Sequence, residues 1–503
     1  MSARSARRAR TLAPVALMLA ACTSAPAPAA TPVPAAVVAD TPVVPVAPGG
    51  LVAPPVLAAP PALALPPIAA RTLPNGLHVV VVEHRELPVA DFALVVRTGA
   101  EADPANHAGL ATLAASMLDE GTTTRSALEI ADAVAWLGAD LATFGGFDES
   151  RVMLHVPTAQ LDSALALFAD VALRPSFPQA DFDRLKQERL TALLQLKDRG
   201  PAIADIAYAN IVFGGEHPYG RAMMGTEATV ARITRDDVRR FHRSYFRPNN
   251  ATLVVVGDVR TDDVVRRIER AFGGWERGDV PATRFPAAPT AAATTVYLID
   301  KPGAAQSSFR IGGIGAARST DDYFALLVMN TILGGSFTSR LNQTLREEKG
   351  YTYGAGSSFA LRREPGPFTA RAEIVSAKTD SALLEFMREL RGVLDTVPQD
   401  ELSKAKRYLQ LQLPGDFETT RDIAAQLVPL VLHGLPLDYY DGYVQRIDAV
   451  TQDDVRRVAR RYIDPQRLAI VIVGDRATIE PGLRALGIGD ISIRDLRGQP
   501  VRQ

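Results

Sequence analysis

The chain has 503 residues, 47% of them hydrophobic and 22% charged, which is long enough for two or more domains, each with its own core. A formal net charge of -1 leaves no electrostatic footprint for nucleic acid, and no nucleic-acid partner is expected. Basic runs such as Arg235 to Arg243 are interleaved with Asp236 and Asp237 on a predicted helix, which makes them a solvated face.

The first 22 residues read as a processing segment. Arg4, Arg7, Arg8 and Arg10 form a positive region, Leu12 to Leu19 an apolar stretch too short to span a bilayer, and Leu19-Ala20-Ala21-Cys22 resembles a bacterial lipobox. Cys22 is the only cysteine, so it is the expected lipidation site, and no intrachain disulfide can form. The alternative is an ordinary secretory signal in which the cysteine is incidental. Thr23 rather than an aspartate follows it, and resemblance to sorted lipoproteins then favours a lipid anchor at the periplasmic face of the outer membrane. Residues 23–70 hold 13 prolines with much Ala and Val and no periodicity, the composition of an extended tether on the order of 100 Å or more.

The body opens with a hairpin-like pair of apolar stretches, LHVVVVEH and VADFALVVRTG. Predicted helices follow at 108–118, 126–137 and 179–197. ITRDDVRRFHRSYFRPNNATLVVVGD, from Ile233, aligns without gaps on VTQDDVRRVARRYIDPQRLAIVIVGD, from Val450, with 13 of 26 positions identical at a separation of 217 residues. The chain is therefore a duplication of a unit of about 200 residues. Each copy reads as a helix opened by a Thr cap and two aspartates, a Tyr-x-x-Pro break, and a buried strand. The second unit repeats the order, with strands at 295–299 and 308–314 and a helix at 321–333, after a Pro/Ala-rich link at 278–294.

GLATLAASMLDEGT, Gly109 to Thr122, is the stretch with the most to say about chemistry. Its frame resembles the zinc helix of the insulinase-like M16 peptidases (pitrilysin and mitochondrial-processing-peptidase type), where Gly-Leu-Ala leads into H-x-x-E-H, followed by Met, a spacer and Gly-Thr. Gly109-Leu110-Ala111, Met117 and Gly121-Thr122 keep that frame, but Thr112 and Ser116 stand at the two histidine positions and Ala115 at the glutamate. Two imidazoles four residues apart share one helical face and a Zn2+, and the carboxylate between them serves as base. Two hydroxyls and a methyl group do neither. The resemblance places the third ligand near Ala192; Glu188 is one turn early and reads as a solvated charge. HPYGRAMMGTEATVARIT at His217, YFRPNNATLVVVGDV at Tyr245 and LGGSFTSRLNQTLREEKGYTYGAGSSF at Leu333 extend the resemblance over most of residues 71–480.

The resemblance implies an α+β fold of two homologous domains, each a mainly antiparallel sheet packed with helices, at 71–285 and 293–490. It also implies a role for Leu345, Arg346, Glu347, Gly350 and Tyr353, an intact L-R-E-x-x-G-x-x-Y. In the family an arginine and a tyrosine at these places reach toward the zinc site and hydrogen-bond the substrate carbonyl, as a fixed cation and a phenol suit a developing oxyanion. The alternative is that Arg346 pairs with a helix-terminal carboxylate and Tyr353 fills a strand position. Gly334-Gly335 stands where a longer glycine-rich loop occurs in the non-catalytic mitochondrial-type subunit. The seven histidines, His78, His84, His107, His155, His217, His242 and His433, offer no substitute ligand set.

Some members of the family divide the work between a zinc-bearing subunit and one carrying only the Arg/Tyr pair, and this chain has the second profile. The expectation is a chain that binds no cofactor itself, pairs with a zinc-bearing homologue, lines a chamber for unfolded peptides and supplies Arg346 and Tyr353 to the partner's zinc site. A non-enzymatic scaffold or peptide-binding lipoprotein is the alternative. An active zinc peptidase would need an unusual ligand set.

Overall fold

The structure, a computed structural model, describes residues 66–501. Cys22, the processing segment and nearly all of the Pro/Ala-rich stretch lie outside the described residues. Two six-stranded sheets form the framework. The first comprises β1 (Ile68–Thr72), β2 (His78–Glu83), β3 (Val89–Val96), β4 (Asp140–Gly145), β5 (Ser150–Pro157) and β6 (Ala251–Gly257), in the order β1-β2-β6-β3-β5-β4. The second comprises β7 (Thr295–Asp300), β8 (Gln306–Ile314), β9 (Ala355–Phe359), β10 (Pro367–Val375), β11 (Ala469–Gly474) and β12 (Asp490–Arg494), in the order β12-β7-β11-β8-β10-β9.

Five strands of each sheet correspond in order and direction. β2 and β6 run parallel, as do β7 and β11, and the next three strands are antiparallel in both sheets. The sixth strand differs: β1 adds antiparallel to β2 and β12 parallel to β7. Mostly antiparallel pairing with helices packed on it makes the fold α+β. The duplication read from the sequence is thus a duplication of sheet topology, and the helices that precede β6 and β11 carry it locally. Thr234 caps Arg235–Tyr245 and Thr451 caps Gln452–Tyr462, each Oγ accepting the amide of the aspartate three residues on, whose carboxylate accepts in return.

Three local expectations change. The two apolar stretches near the start do not form a hairpin, because β6 lies between β2 and β3. The first strand begins at Ile68, inside the stretch read as tether, and β12 runs past 490, with Arg494 bridging back to Pro500. The helix expected over 321–333 is α-helical only over Tyr323–Asn330 and then widens into a π turn, Thr331–Gly335. Gly334 is required there, since a Cβ would fall 2.2 Å from the Ser357 amide of β9.

The four consecutive valines of β2 are buried on both faces for a reason supplied by the other half of the chain. Val79 and Val81 face the helices of the first half, whereas Val80 and Val82 belong to the same apolar cluster as Leu427 and Leu430 of the helix Thr420–His433. That helix packs on β3 and β6, and the helix Gly200–Phe213 of the first half packs on β8 and β11 of the second. Each half therefore lends a helix to the other's sheet. Ile203, Ala204, Ala207 and Tyr208 pack with Val471 and Val473, and the Tyr208 hydroxyl donates to the carbonyl of Phe368. In the reciprocal position Thr420 Oγ donates to Asp91 at 2.6 Å. Burial at this level on both faces makes the sheets run apolar at successive positions instead of alternating.

Candidate functional site

The degenerate helix spans Leu110–Ser116 and is held rigidly at both ends. Gly109 enters it at φ +100, in the left-handed region, against the Met224 carbonyl, which a Cβ would meet at 2.7 Å. The Asp103 carboxylate accepts the amides of Gly109 and Ala111, both at 2.8 Å, and so covers the positive end of the helix. Burial pushes the Asp103 carboxyl up to about 7 against the pull of those amides. At the exit, Met117 is fully buried and the Thr122 hydroxyl donates to Asp170 at 2.7 Å. Asp170 also takes Arg125 and Arg174, each at 2.8 Å, so the Gly-Thr exit is part of a structural ion cluster.

Thr112 Oγ lies 3.1 Å from the Gly109 carbonyl and 3.2 Å from that of Met223, and it accepts Nη1 of Arg189 at 2.9 Å. Arg189 belongs to the helix Gln179–Leu196, the one on which the family resemblance places a third ligand near Ala192. Its Nη1 also reaches the Met224 carbonyl at 3.4 Å. Burial draws this guanidinium below its ordinary value, with Asp103 the opposing influence. Ser116 Oγ is turned onto the carbonyl of Thr112 at 3.0 Å, and Ala115 packs beside Gly145 of β4. Glu188 stays exposed on Arg184 at 3.1 Å, the solvated charge it was read to be. A zinc ion does not fit these groups: two hydroxyls already engaged by the backbone, a methyl and a fixed cation at 2.9 Å repel a dication rather than ligate it. Among the described residues no group of three or more His, Cys, Asp or Glu is arranged to hold a metal.

Arg189 is the residue that sequence reading missed. The family resemblance points to a carboxylate in this segment, and hence to its neighbour Glu188. The available signal was the helical spacing itself, which turns position 189 toward the zinc helix when 188 faces solvent.

Arg346 lies in a π turn, Gln343–Glu348, a local widening that often marks functional positions. Its guanidinium stacks 4.6 Å over the Phe337 ring, with Nε 3.2 Å from Glu347. Tyr353 is 92% exposed and Phe337 60%, so the motif presents two aromatic rings and a cation to solvent. The hydrogen bonds of Thr112 and Ser116 stay within the first half, and the contacts of Arg346 within the second. Three of the histidines bond within the scaffold: His155 bonds Asp91 at 3.0 Å, His242 the Ala172 carbonyl at 2.9 Å, and His217 accepts the Tyr219 amide at 3.0 Å.

The seam between the halves runs past the degenerate helix. The turn between β9 and β10 places Arg363 in the first half, its amide on Asp148 at 2.9 Å and its guanidinium on the Arg97 carbonyl at 2.8 Å. Asp148 also accepts the Tyr219 hydroxyl at 2.7 Å. Arg362 stacks 3.7 Å over Phe147. A cavity of about 370 Å³ opens here, lined among others by Phe144, Glu149, Arg151, Met223, Arg362 and His433.

Residues 79–203 match the model of the insulinase family (peptidase family M16), and residues 232–409 match that of the peptidase M16 inactive domain. A protein of Mycobacterium leprae described as an uncharacterised zinc protease is 27% identical over 419 residues, covering 82% of this chain and 92% of the relative. The peptidase M16 inactive domain from Pseudomonas fluorescens superposes with a TM-score of 0.76 at 27% identity, over 81% of this chain and 98% of that one. A chain of complex III2 from Candida albicans shares the fold at a TM-score of 0.70 and 16% identity, over 83% and 99%.

Proposed function

Because this chain belongs to the insulinase family of peptidases (peptidase family M16), we propose that it is a zinc-less subunit of a heteromeric envelope metallopeptidase. The observation that carries this reading is the Arg189–Thr112 hydrogen bond at the family's metal position. A site that had merely lost its ligands would leave space; here a cation is bonded into the place. The chain keeps the other half of the family's equipment, Arg346 and Tyr353, on an accessible surface. In the assembly a zinc-bearing homologue supplies the metal and the general base. This chain supplies a guanidinium and a phenol that donate to the carbonyl oxygen of an unfolded peptide as negative charge develops on it. Release of Arg346 from Glu347 and Phe337 accompanies that contact. Cys22, lipidated, would anchor the assembly at the periplasmic face of the outer membrane.

The scaffold reading has one observation in its favour: Arg346 already has partners in Phe337 and Glu347. The two are separated by purifying the chain and a homologue that retains H-x-x-E-H, alone and mixed. The proposal expects substoichiometric zinc and no peptide hydrolysis from this chain alone, and more turnover from the mixture than from the homologue. One tightly held zinc per chain, or a homologue indifferent to this chain, would contradict it.

A further inference from the structure

Arg189 carries a charge that the protein does not neutralise. Among the described residues only its Nη1 is engaged, by Thr112 Oγ and the Met224 carbonyl. Among the described residues no carboxylate comes within 4 Å of it. Asp103, the nearest countercharge, has its two oxygens on the amides of Gly109 and Ala111. Nε and Nη2 are not among the buried donors, so they face solvent and are open to an incoming anion. The fork of donors left over, Nε and Nη2, has the geometry that receives a carboxylate in a bidentate manner.

The seam cavity lies close to Thr112, which is not itself one of its lining residues. The Met223 carbonyl on Thr112 belongs to a residue that lines the seam cavity, and Gly145, packed on Thr112, lies between Phe144 and Gly146 of the same cavity wall. Of the carboxylates of that wall, Asp148 is taken by Tyr219 and Arg363, while Glu149 pairs with Arg151 at 3.3 Å through one oxygen and keeps the other buried without a partner among the described residues. Arg362, stacked on Phe147, makes no ion pair within 4 Å among the described residues. Arg362 thus borders the cavity without an ion pair, and Arg189 stands beside the degenerate helix without one.

We infer that Arg189, held in place by Thr112, forms a carboxylate-binding site, so that this chain holds a carboxylate of a peptide beside the position where the family resemblance places the metal. The inference goes beyond the assisting role of Arg346 and Tyr353, since it concerns binding by this chain alone and needs neither a partner nor turnover. The carboxylate is either a peptide C-terminus or an acidic side chain, both being the same chemistry to a guanidinium fork.

Three fluorescein-labelled Gly/Ser/Ala nonapeptides decide the matter by anisotropy with the full chain: one ending in a free carboxylate, one ending in an amide, and one amidated with a central glutamate. The expected result is binding about 10-fold or more tighter for a carboxylate peptide than for the neutral amide, a preference lost in Arg189→Gln and partly kept in Arg189→Lys. Preference for the free terminus assigns the site to C-termini; preference for the glutamate peptide assigns it to acidic side chains. Equal affinity for all three, or a preference that survives Arg189→Gln, overturns the inference. The comparison of peptides on the unmodified chain stands even if Arg189→Gln does not fold. Failure here would leave the metal content and the Arg346/Tyr353 role untouched.

Discussion

Nη1 of Arg189 donates to Thr112 Oγ at 2.9 Å, joining the helix Gln179–Leu196 to the helix Leu110–Ser116 across the position where the family resemblance places a metal. The bond turns the loss of two histidines into a site with its own electrostatics. Restoring the ligands is therefore not enough to restore the metal.

Thr112→His with Ser116→His is expected to give weak zinc binding, because the third ligand is still missing and Arg189 repels a dication. Adding Arg189→Ala to the pair should strengthen binding by about 10-fold or more, an order of magnitude consistent with removing one nearby positive charge at a half-buried site. Calorimetric titration of zinc into the two proteins makes the comparison. Equal affinities would mean that the guanidinium does not control the site.

The sequence carried the duplication, the strands and the capped helices, because identical residues at a constant separation and Thr-x-x-Asp caps are local signals. It did not carry the order of strands. LHVVVVEH and VADFALVV look like a hairpin, and the insertion of β6 between them depends on a pairing partner some 170 residues away. Nor did it carry the exchange of Gly200–Phe213 and Thr420–His433, although GPAIADIAYANIVF, apolar on most sides, was a hint of burial on both faces. At the site the loss of ligands was legible position by position. The role of Asp103 and the bond from Arg189 were not, since each arises where separate segments meet.

The exchanged helices make the two halves interdependent. Tyr208→Phe removes the hydroxyl that donates to the Phe368 carbonyl across the halves and leaves that acceptor short of a partner in a buried place. A loss of about 1–2 kcal/mol is expected, seen as a lower denaturation midpoint with an unchanged slope. A change in slope would instead indicate that the halves unfold separately.

Glu101 gives the seam a pH dependence. Burial pushes its carboxyl up to about 8, while the nearby Arg363 and the Gly99 amide pull the other way; its ordinary value is 4.5. A carboxyl raised in the folded state contributes stability that is complete below about pH 4.5 and is lost as pH rises through about 8. Asp103, raised to about 7, acts in the same direction. Denaturation at pH 5, 7 and 9 should show stability falling with pH, and Glu101→Gln should flatten part of the fall. A profile that Glu101→Gln leaves unchanged would remove Glu101 as its source.

Cys22 is expected to be the lipidated first residue of the mature protein. Cys22→Ser should lower the mass by the lipid and move the protein out of the membrane fraction. Unchanged mass and fractionation would contradict the anchor.

Arg346 and Tyr353 are the residues through which this subunit is proposed to act on the substrate. The most direct measurement is the turnover of a zinc-bearing homologue on an unstructured peptide, with this chain supplied at saturation as wild type, Arg346→Ala or Tyr353→Phe. Loss of one oxyanion donor should raise the barrier by ~2–4 kcal/mol, a fall of roughly two to three orders of magnitude in turnover, with the assembly intact by size. Equal turnover in all three mixtures would contradict the proposed role of this subunit.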